Sequence, residues 1–379
     1  MTKKLYYENA YIRSFVARVL EVTSTDEGYD VVLDETAFFP EEGGQSSDTG
    51  YIGDAKVSYV YERDGIVHHL TDKELSLGEK QCTLDFDDRF EKMQCHTAEH
   101  ILCGIIHRLF GLDNVGFHLG DDEVTFDVNG VLDREQLNKV EILANEAVFA
   151  NLKIDTIFPT PDELSKIEYR AKLDITEGVR LVKIGDVDTC ACCAPHVAYT
   201  GEIGMIKILD FMKHRGGTRI WMVAGKRAIA DYRLRYDNVK RISGMLSAPQ
   251  PEIANVLSDY IAESDETRTA LKQARLRIAE LEAEKIQSTD ASAVFYLPDF
   301  SIPELIAFSN VANKRVGKIT VALSGTDGDY KYVISSNTTD LRAMAKDINS
   351  ALSGRGGGRP EMIQGSFGAT LQEIKDYFK

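Results

Sequence analysis

Two short pairings constrain this chain more than any other feature: His96 with His100 in His96-Thr97-Ala98-Glu99-His100, and Cys192 with His196 in Cys192-Cys193-Ala194-Pro195-His196. Side chains four apart on a helix lie one turn apart on the same face, so two imidazoles can grip one ion. A cysteine and a histidine from a distant segment complete three nitrogens and one sulfur, a donor set that suits tetrahedral zinc. The fold must then bring both segments to one point. Either pairing alone is a weak signal, since two histidines on a helix are commonplace. Together they predict one zinc per chain on His96, His100, Cys192 and His196, with Cys192 bound as thiolate.

At 379 residues the chain is expected to hold two to four domains. Hydrophobic residues make up 43% and charged residues 27%, as in ordinary globular protein. Arg13 and Arg18 interrupt the first twenty residues, so no secretory signal is expected, and no run is long enough to span a bilayer. Six cysteines in such a chain read as reduced thiols or ligands, and the expected location is the cytoplasm. Cys82, Cys95 and Cys103 sit among apolar neighbours and are expected in the core. The net charge of −16 argues against broad, nonspecific affinity for nucleic acid. It leaves room for a local basic face between Lys213 and Arg241, although a solvated surface explains any one of those cations equally well.

The expected fold is an α+β multidomain chain: an N-terminal small β-barrel, an α/β two-layer zinc domain, a helical linker and a C-terminal α/β domain. The barrel domain is placed at 1–88, where runs at 15–22, 29–33, 55–61, 65–70 and 81–86 are rich in Val, Ile and aromatics. The zinc domain is placed at 89–236. Its first helix carries both histidines and the core stripe Ile101, Leu102, Ile105 and Ile106; a second helix is expected near 134–151 and a β-hairpin over 205–223. The connector is placed at 237–290, where Leu271, Ala274, Ile278, Leu281 and Lys285 follow the rhythm of a coiled-coil seam, or of a packed amphipathic helix. The last domain, 291–379, contains Gly354-Arg355-Gly356-Gly357-Gly358-Arg359-Pro360 between two helices. Such glycines admit close approach of a phosphate or of another backbone, and no strand pattern of a nucleotide-binding loop surrounds them.

The loop Phe38-Phe39-Pro40-Glu41-Glu42-Gly43-Gly44-Gln45 with a following Asp48, the stretch Met93-Gln94-Cys95-His96-Thr97-Ala98-Glu99-His100, the Cys192–His196 patch with Thr200-Gly201-Glu202, and the run ending Arg359-Pro360 share one further property. Together they resemble the long form of the AlaX-type alanyl-tRNA editing proteins, free-standing relatives of the editing half of alanyl-tRNA synthetase. The resemblance covers nearly the whole chain and implies a C-terminal domain of the kind associated with DHH-type phosphoesterases. It implies hydrolysis of tRNA(Ala) wrongly charged with serine or glycine, with zinc as cofactor. Because all proposed ligands precede it, the segment after the linker is expected to assist tRNA capture or self-association, as a homodimer through the C-terminal region. No aminoacylation domain precedes the barrel, so full synthetase activity is not expected. Thr36, by analogy to the family's loop, and Gln45 are the candidates for reading the substrate.

Two departures from the family pattern stand out. Glu42 occupies the place of the loop's first glycine, and the usual Cys-Gly-Gly-Thr-His becomes Cys192-Cys193-Ala194-Pro195-His196. Cys190 competes with Cys192 as ligand, although only Cys192 keeps the three-residue gap to His196. Two other functions compete with editing. His96-Thr97-Ala98-Glu99-His100 also fits the inverted zinc-protease pattern, with Glu99 as general base. A tRNA-binding module with closed structural zinc would keep every motif and predict binding without turnover. A phosphoesterase is disfavoured, because no Asp-His-His occurs.

Overall fold

In the computed structural model, which describes residues 1–120, 123–171 and 178–379, the chain is a mixed α/β protein of two compact units, Met1–Val239 and Lys240–Lys379. Its alternating N-terminal runs form β1 (Ser14–Thr25), β2 (Gly28–Leu33), β3 (Gly50–Ile52), β4 (Ala55–Arg63), β5 (Ile66–Thr71) and β6 (Gly78–Leu84). They pair in the order β1-β2-β5-β4-β3-β6, and β6 returns to β1, so the six strands close on themselves. Closure rests on the length of β1. Its residues 14–19 pair with β6 and its residues 19–25 with β2. The register with β2 slips between Val19 and Glu21, a bulge that bends the strand from one neighbour to the other. Val31, Ile52, Val57, Val60 and Val67 point inward and are fully buried.

Thr36 and His69 are a buried polar pair in this first layer. His69 Nδ1 donates to the Val31 carbonyl at 3.0 Å, so its Nε2 accepts from the Thr36 hydroxyl at 2.9 Å. The same hydroxyl accepts from the Phe38 N–H at 3.1 Å. Burial pushes His69 down to about 4, which keeps it neutral near pH 7.

The barrel leads directly into α1 (Phe86–Phe110), whose Ile101, Leu102, Ile105 and Ile106 are buried as the apolar stripe requires. That face packs on an antiparallel sheet made of β7 (Asn114–Leu119), β8 (Val124–Val128), β12 (Ile206–His214) and β13 (Gly217–Ala224). Helix α2 (Arg134–Phe149) starts at a capping box formed by Asp133 and Gln136. A second sheet joins β9 (Ile154–Ile157), β10 (Leu181–Ile184) and β11 (Asp188–Ala191). The hairpin β12–β13 turns on Arg215 and Gly216, both at positive φ, as a two-residue turn between twisted strands demands. Several of the nearby cations are already paired: Arg219 with Asp127, Lys226 with Asp87, Arg227 with Glu91 and Arg235 with Asp231. The cationic stretch read from the sequence is therefore partly neutralised.

One buried ion pair fixes the barrel's long loop onto α1. Arg89 and Asp48 are 0% and 1% exposed. The guanidinium grips the carboxylate through Nε and Nη2 and also donates to the Ala37 and Ala10 carbonyls. One turn on, the buried Lys92 donates to the Ser47 carbonyl at 2.7 Å.

Two helices, α3 (Gly225–Leu246) and α4 (Ile253–Glu284), cover most of the stretch read as a connector; the division between the units falls within α3. The buried face of α4 is not the expected seam. Leu271, Ile278 and Leu281 are 60%, 51% and 41% exposed, whereas Ala279 and Ala283 pack on Leu305, Phe308 and Ala312 of α5 (Ile302–Ala312). Small side chains let the two helices approach closely, and the Arg275–Glu304 ion pair flanks the contact. The last sheet joins β14 (Ala293–Tyr296), β15 (Thr320–Thr326), β16 (Asp329–Ser335), β17 (Arg355–Arg359) and β18 (Met362–Phe367), with α6 (Leu341–Ala351) and α7 (Leu371–Tyr377) completing the unit. The glycine-rich run is thus an edge strand and not a loop. A Cβ on Gly356 would lie 2.3 Å from the Gln364 carbonyl and from the Tyr332 hydroxyl, so these glycines serve close approach of another strand. Among the described residues, no helix is long and apolar enough to cross a membrane.

Removing either member of the Arg89–Asp48 pair strands a buried charge. Arg89→Ala and Asp48→Ala are each expected to cost about 3–5 kcal/mol, read from urea unfolding midpoints. The two losses should add to less than their sum in the double variant.

Candidate metal centre

Helical spacing on α1 sets His96 and His100 side by side, and the loop that follows β11 delivers Cys192 and His196. Arg180 shapes that loop by donating to the carbonyls of Cys192 and Ala194, at 2.7 and 2.8 Å. One ligand atom from each of the four residues lies within 4.8 Å of the others. The Cys192 Sγ is 3.5 Å from His96 Nε2 and 3.4 Å from His196 Nε2. A tetrahedral zinc with its usual bond lengths has nitrogen–sulfur edges of roughly 3.5 Å, so the group is of the right size.

The outer partners decide which nitrogens face inward. His96 Nδ1 donates to Gln45 Oε1 at 2.8 Å. His100 Nδ1 donates to Asp188 Oδ2 at 3.2 Å. Thr97 donates its own hydroxyl proton to the Met93 carbonyl, so it accepts from His196 Nδ1 at 3.0 Å. With every Nδ1 engaged outward, all three Nε2 atoms are left for an ion. Burial opposes ionisation of Cys192, but the charges of the imidazoles of His96 and His100 outweigh it and hold the thiol well below its ordinary range. Burial pushes His196 down to about 3, so it is neutral. A thiolate with imidazole nitrogens is the donor set expected for a borderline-soft dication, and the residues fit zinc.

Sequence-predicted residues fall into three places. His96, His100, Cys192 and His196 converge. Gln45 comes to them as the partner of His96, while its own amide N–H2 is buried without a hydrogen-bond acceptor among the described residues. Thr36 stays in the barrel with its hydroxyl engaged on both sides. Cys190 joins a neighbouring group with His100 and Asp188. Burial opposes the charge of Asp188, but hydrogen bonds from His100 and Arg170 hold its carboxyl below the usual range. Asp188 and Thr97 were missed from the sequence. Thr97 lies between the two histidines and was within reach of inspection; Asp188 and Arg170 carry no local signal.

A pocket of about 420 Å³ opens beside the cluster, lined by His96, His100, Cys192, Glu99, Tyr7 and Glu42 among others. Glu99 is 4% exposed. One of its oxygens accepts from Asn114 and from the Cys103 thiol; the other lies 4.0 Å from His100 Nε2.

Residues 2–89 match the family model "tRNA synthetases class II (A)", and residues 179–221 match "Threonyl and Alanyl tRNA synthetase second additional domain". An alanyl-tRNA editing protein, AlaX-L, from Pyrococcus horikoshii is 26% identical over 99% of this chain and 97% of its own length. The chain resembles the long-form AlaX-type alanyl-tRNA editing proteins over nearly its whole length. Alanine–tRNA ligases are similar as well. That of Hyperthermus butylicus is 30% identical over 96% of this chain, and that of Halobacterium salinarum 33% over 86%. The chain spans only 42% and 38% of those ligases. The crystal structure of the C-Ala domain from Aquifex aeolicus alanyl-tRNA synthetase overlays 23% of this chain and 84% of its own, at 18% identity and a TM-score of 0.20.

Metal analysis of single variants tests the centre. His100→Ala and Cys192→Ala are expected to lose the ion, and Cys190→Ala to retain it at one per chain. Full retention by both of the first two would exclude a shared site.

Proposed function

We propose that this protein removes serine, and also glycine, from mischarged tRNA(Ala) by hydrolysing the aminoacyl ester, with one zinc held by His96, His100, Cys192 and His196. The single observation that carries the reading is the convergence of these four donors, each histidine oriented through Nδ1, at the wall of a pocket. Similarity to an editing protein along nearly its entire length supports the same conclusion. When bound, zinc would supply Lewis-acid polarisation of the ester carbonyl. The protein's own groups do the rest. Gln45, Asp188 and Thr97 keep the donors aligned. Glu99 presents a carboxylate oxygen beside the donor atoms, where it can take a proton from an attacking water.

Selectivity is a chemical problem and not a steric one, because any pocket that holds serine admits the smaller alanine. A hydrogen bond to the serine hydroxyl is needed, and a site built for one rejects analogues lacking it by up to about 10⁴–10⁵. Gln45 brings an unpartnered buried amide donor close to the cluster. Thr36 could reach a substrate only by giving up His69. Gln45 is therefore the better placed of the two candidates.

The inverted zinc-protease reading needs only His96, Glu99 and His100, and leaves the approach of Cys192 and His196 without a purpose. Every proposed ligand lies in the unit Met1–Val239, which leaves Lys240–Lys379 for tRNA capture or for pairing with a second copy. The proposed location is the cytoplasm.

Purified protein is expected to deacylate Ser-tRNA(Ala) and Gly-tRNA(Ala), to spare Ala-tRNA(Ala), and to lose activity on zinc removal. Tight tRNA binding with no turnover would assign the ion a structural role, and cleavage of peptides would restore the protease reading. Thr36→Val is expected to cost about 1–3 kcal/mol of stability by orphaning His69 Nε2. It should leave the Ser/Ala rate ratio within about twofold; a fall of tenfold, about 1.4 kcal/mol, would hand the hydroxyl contact back to Thr36.

A further inference from the structure

The two departures from the family pattern meet in space. Glu42, in place of a loop glycine, and Cys193, in place of the glycine after the ligand cysteine, both line the pocket beside the four donors. An ideal Cβ on the intervening Gly43 would sit 3.5 Å from Cys193 Sγ, so the loop and the cysteine patch are in direct contact. Burial keeps the Cys193 thiol protonated, reinforced by the charges of Cys192 and of Glu42, toward which it is directed.

Glu42 is held close to the chemistry by its backbone. Its N–H donates to the Gln45 carbonyl at 3.2 Å, and the Gln45 N–H returns a bond to the Glu42 carbonyl at 3.1 Å. Gln45 in turn holds the ligand His96. The Glu42 side chain, by contrast, is exposed, and among the described residues no cation pairs with it. It is not a member of the donor group either. Of the other carboxylates beside the donors, Asp188 is held by His100 and Arg170, and Glu99 has one oxygen engaged by Asn114 and Cys103 and the other turned to His100. Glu42 therefore brings a carboxylate that has the Cys193 thiol beside it but no cation partner among the described residues into a pocket that also contains Arg170 and Arg180.

We infer that the Glu42 carboxylate receives the α-ammonium group of the aminoacyl ester, making Glu42 a specificity-determining residue. The inference rests on the deacylase reading above. An aminoacyl ester carries its ammonium on the carbon next to the reacting carbonyl. A carboxylate meant to bind it must stand within a few ångströms of the donors that face that carbonyl. In a pocket with two arginines beside a metal centre, an ammonium needs such a counter-charge, and a charge-assisted hydrogen bond supplies both attraction and orientation. Glycine at this position, the family's usual residue, offers neither.

The test uses the zinc-loaded protein and two substrates: Ser-tRNA(Ala), and glyceryl-tRNA(Ala), in which a hydroxyl replaces the α-ammonium at nearly constant size. Wild-type protein should prefer the seryl ester by about tenfold to a hundredfold in kcat/KM, mostly through KM. Glu42→Gln and Glu42→Gly should lose that preference, slowing on the seryl ester and keeping the wild-type rate on the glyceryl ester. Cys193→Ser, which keeps a donor facing the carboxylate, should retain the preference. Turnover of both esters with the same preference in wild type and Glu42→Gln would overturn the assignment alone. Failure of the wild-type protein to hydrolyse either ester would overturn the deacylase reading and the assignment with it.

Discussion

The Arg89–Asp48 ion pair is the contact on which the rest of the structure depends. Arg89 lies two turns before His96 on α1, and Asp48 lies three residues after Gln45 on the barrel loop. Locking these two together, with Lys92 bonded to Ser47 beside them, fixes the distance between barrel and helix. That distance is what lets Gln45 reach His96. Buried ion pairs are poor stabilisers compared with well-packed apolar groups, because desolvation costs several kcal/mol per charge. Here the pair is saturated: the guanidinium also satisfies two backbone carbonyls, and the carboxylate also accepts from Phe39. Its contribution is register, since an apolar contact would not specify which loop residue faces the helix.

The donor cluster then follows from small outer contacts. Three histidines enter from two segments, and each is turned the same way by a partner of different chemistry: an amide, a carboxylate and a hydroxyl. Asp188 is the most heavily supported of these, pinned in bidentate fashion by Arg170. The arrangement differs from a structural zinc knuckle in one respect. It stands at the wall of an open pocket whose lining also includes the charged side chains of Glu42, Arg170 and Arg180.

Much of the fold was written locally. The alternating runs between residues 15 and 86 gave strands where strands occur, although closure of the ring depends on β1 serving two neighbours at once. The apolar stripe of α1 was legible because a buried helix must repeat at its own period. The glycine-rich run 354–360 left a phosphate and another backbone equally open, since glycines admit both; only the approach of Gln364 and Tyr332 distinguishes them. The seam through Leu271, Ile278 and Leu281 was misplaced for a related reason. Helical periodicity shows that one face is apolar, but close packing favours the face with the smallest side chains, Ala279 and Ala283.

By itself, the sequence determined that His96 and His100 share one face of a helix, because helical spacing is a property of local geometry. It also determined the likeness to the AlaX-type proteins. Tertiary structure alone decided three other matters. It placed Cys192 among the donors and Cys190 beside Asp188, although both cysteines stand in one short patch. It committed the Thr36 hydroxyl to His69 and brought Gln45 to His96. And it brought Glu42 and Cys193 to one wall of the pocket. Each of these depends on which distant segment lies a few ångströms away, and a hydrogen bond or charge contact acts only at that range, whatever the separation along the chain.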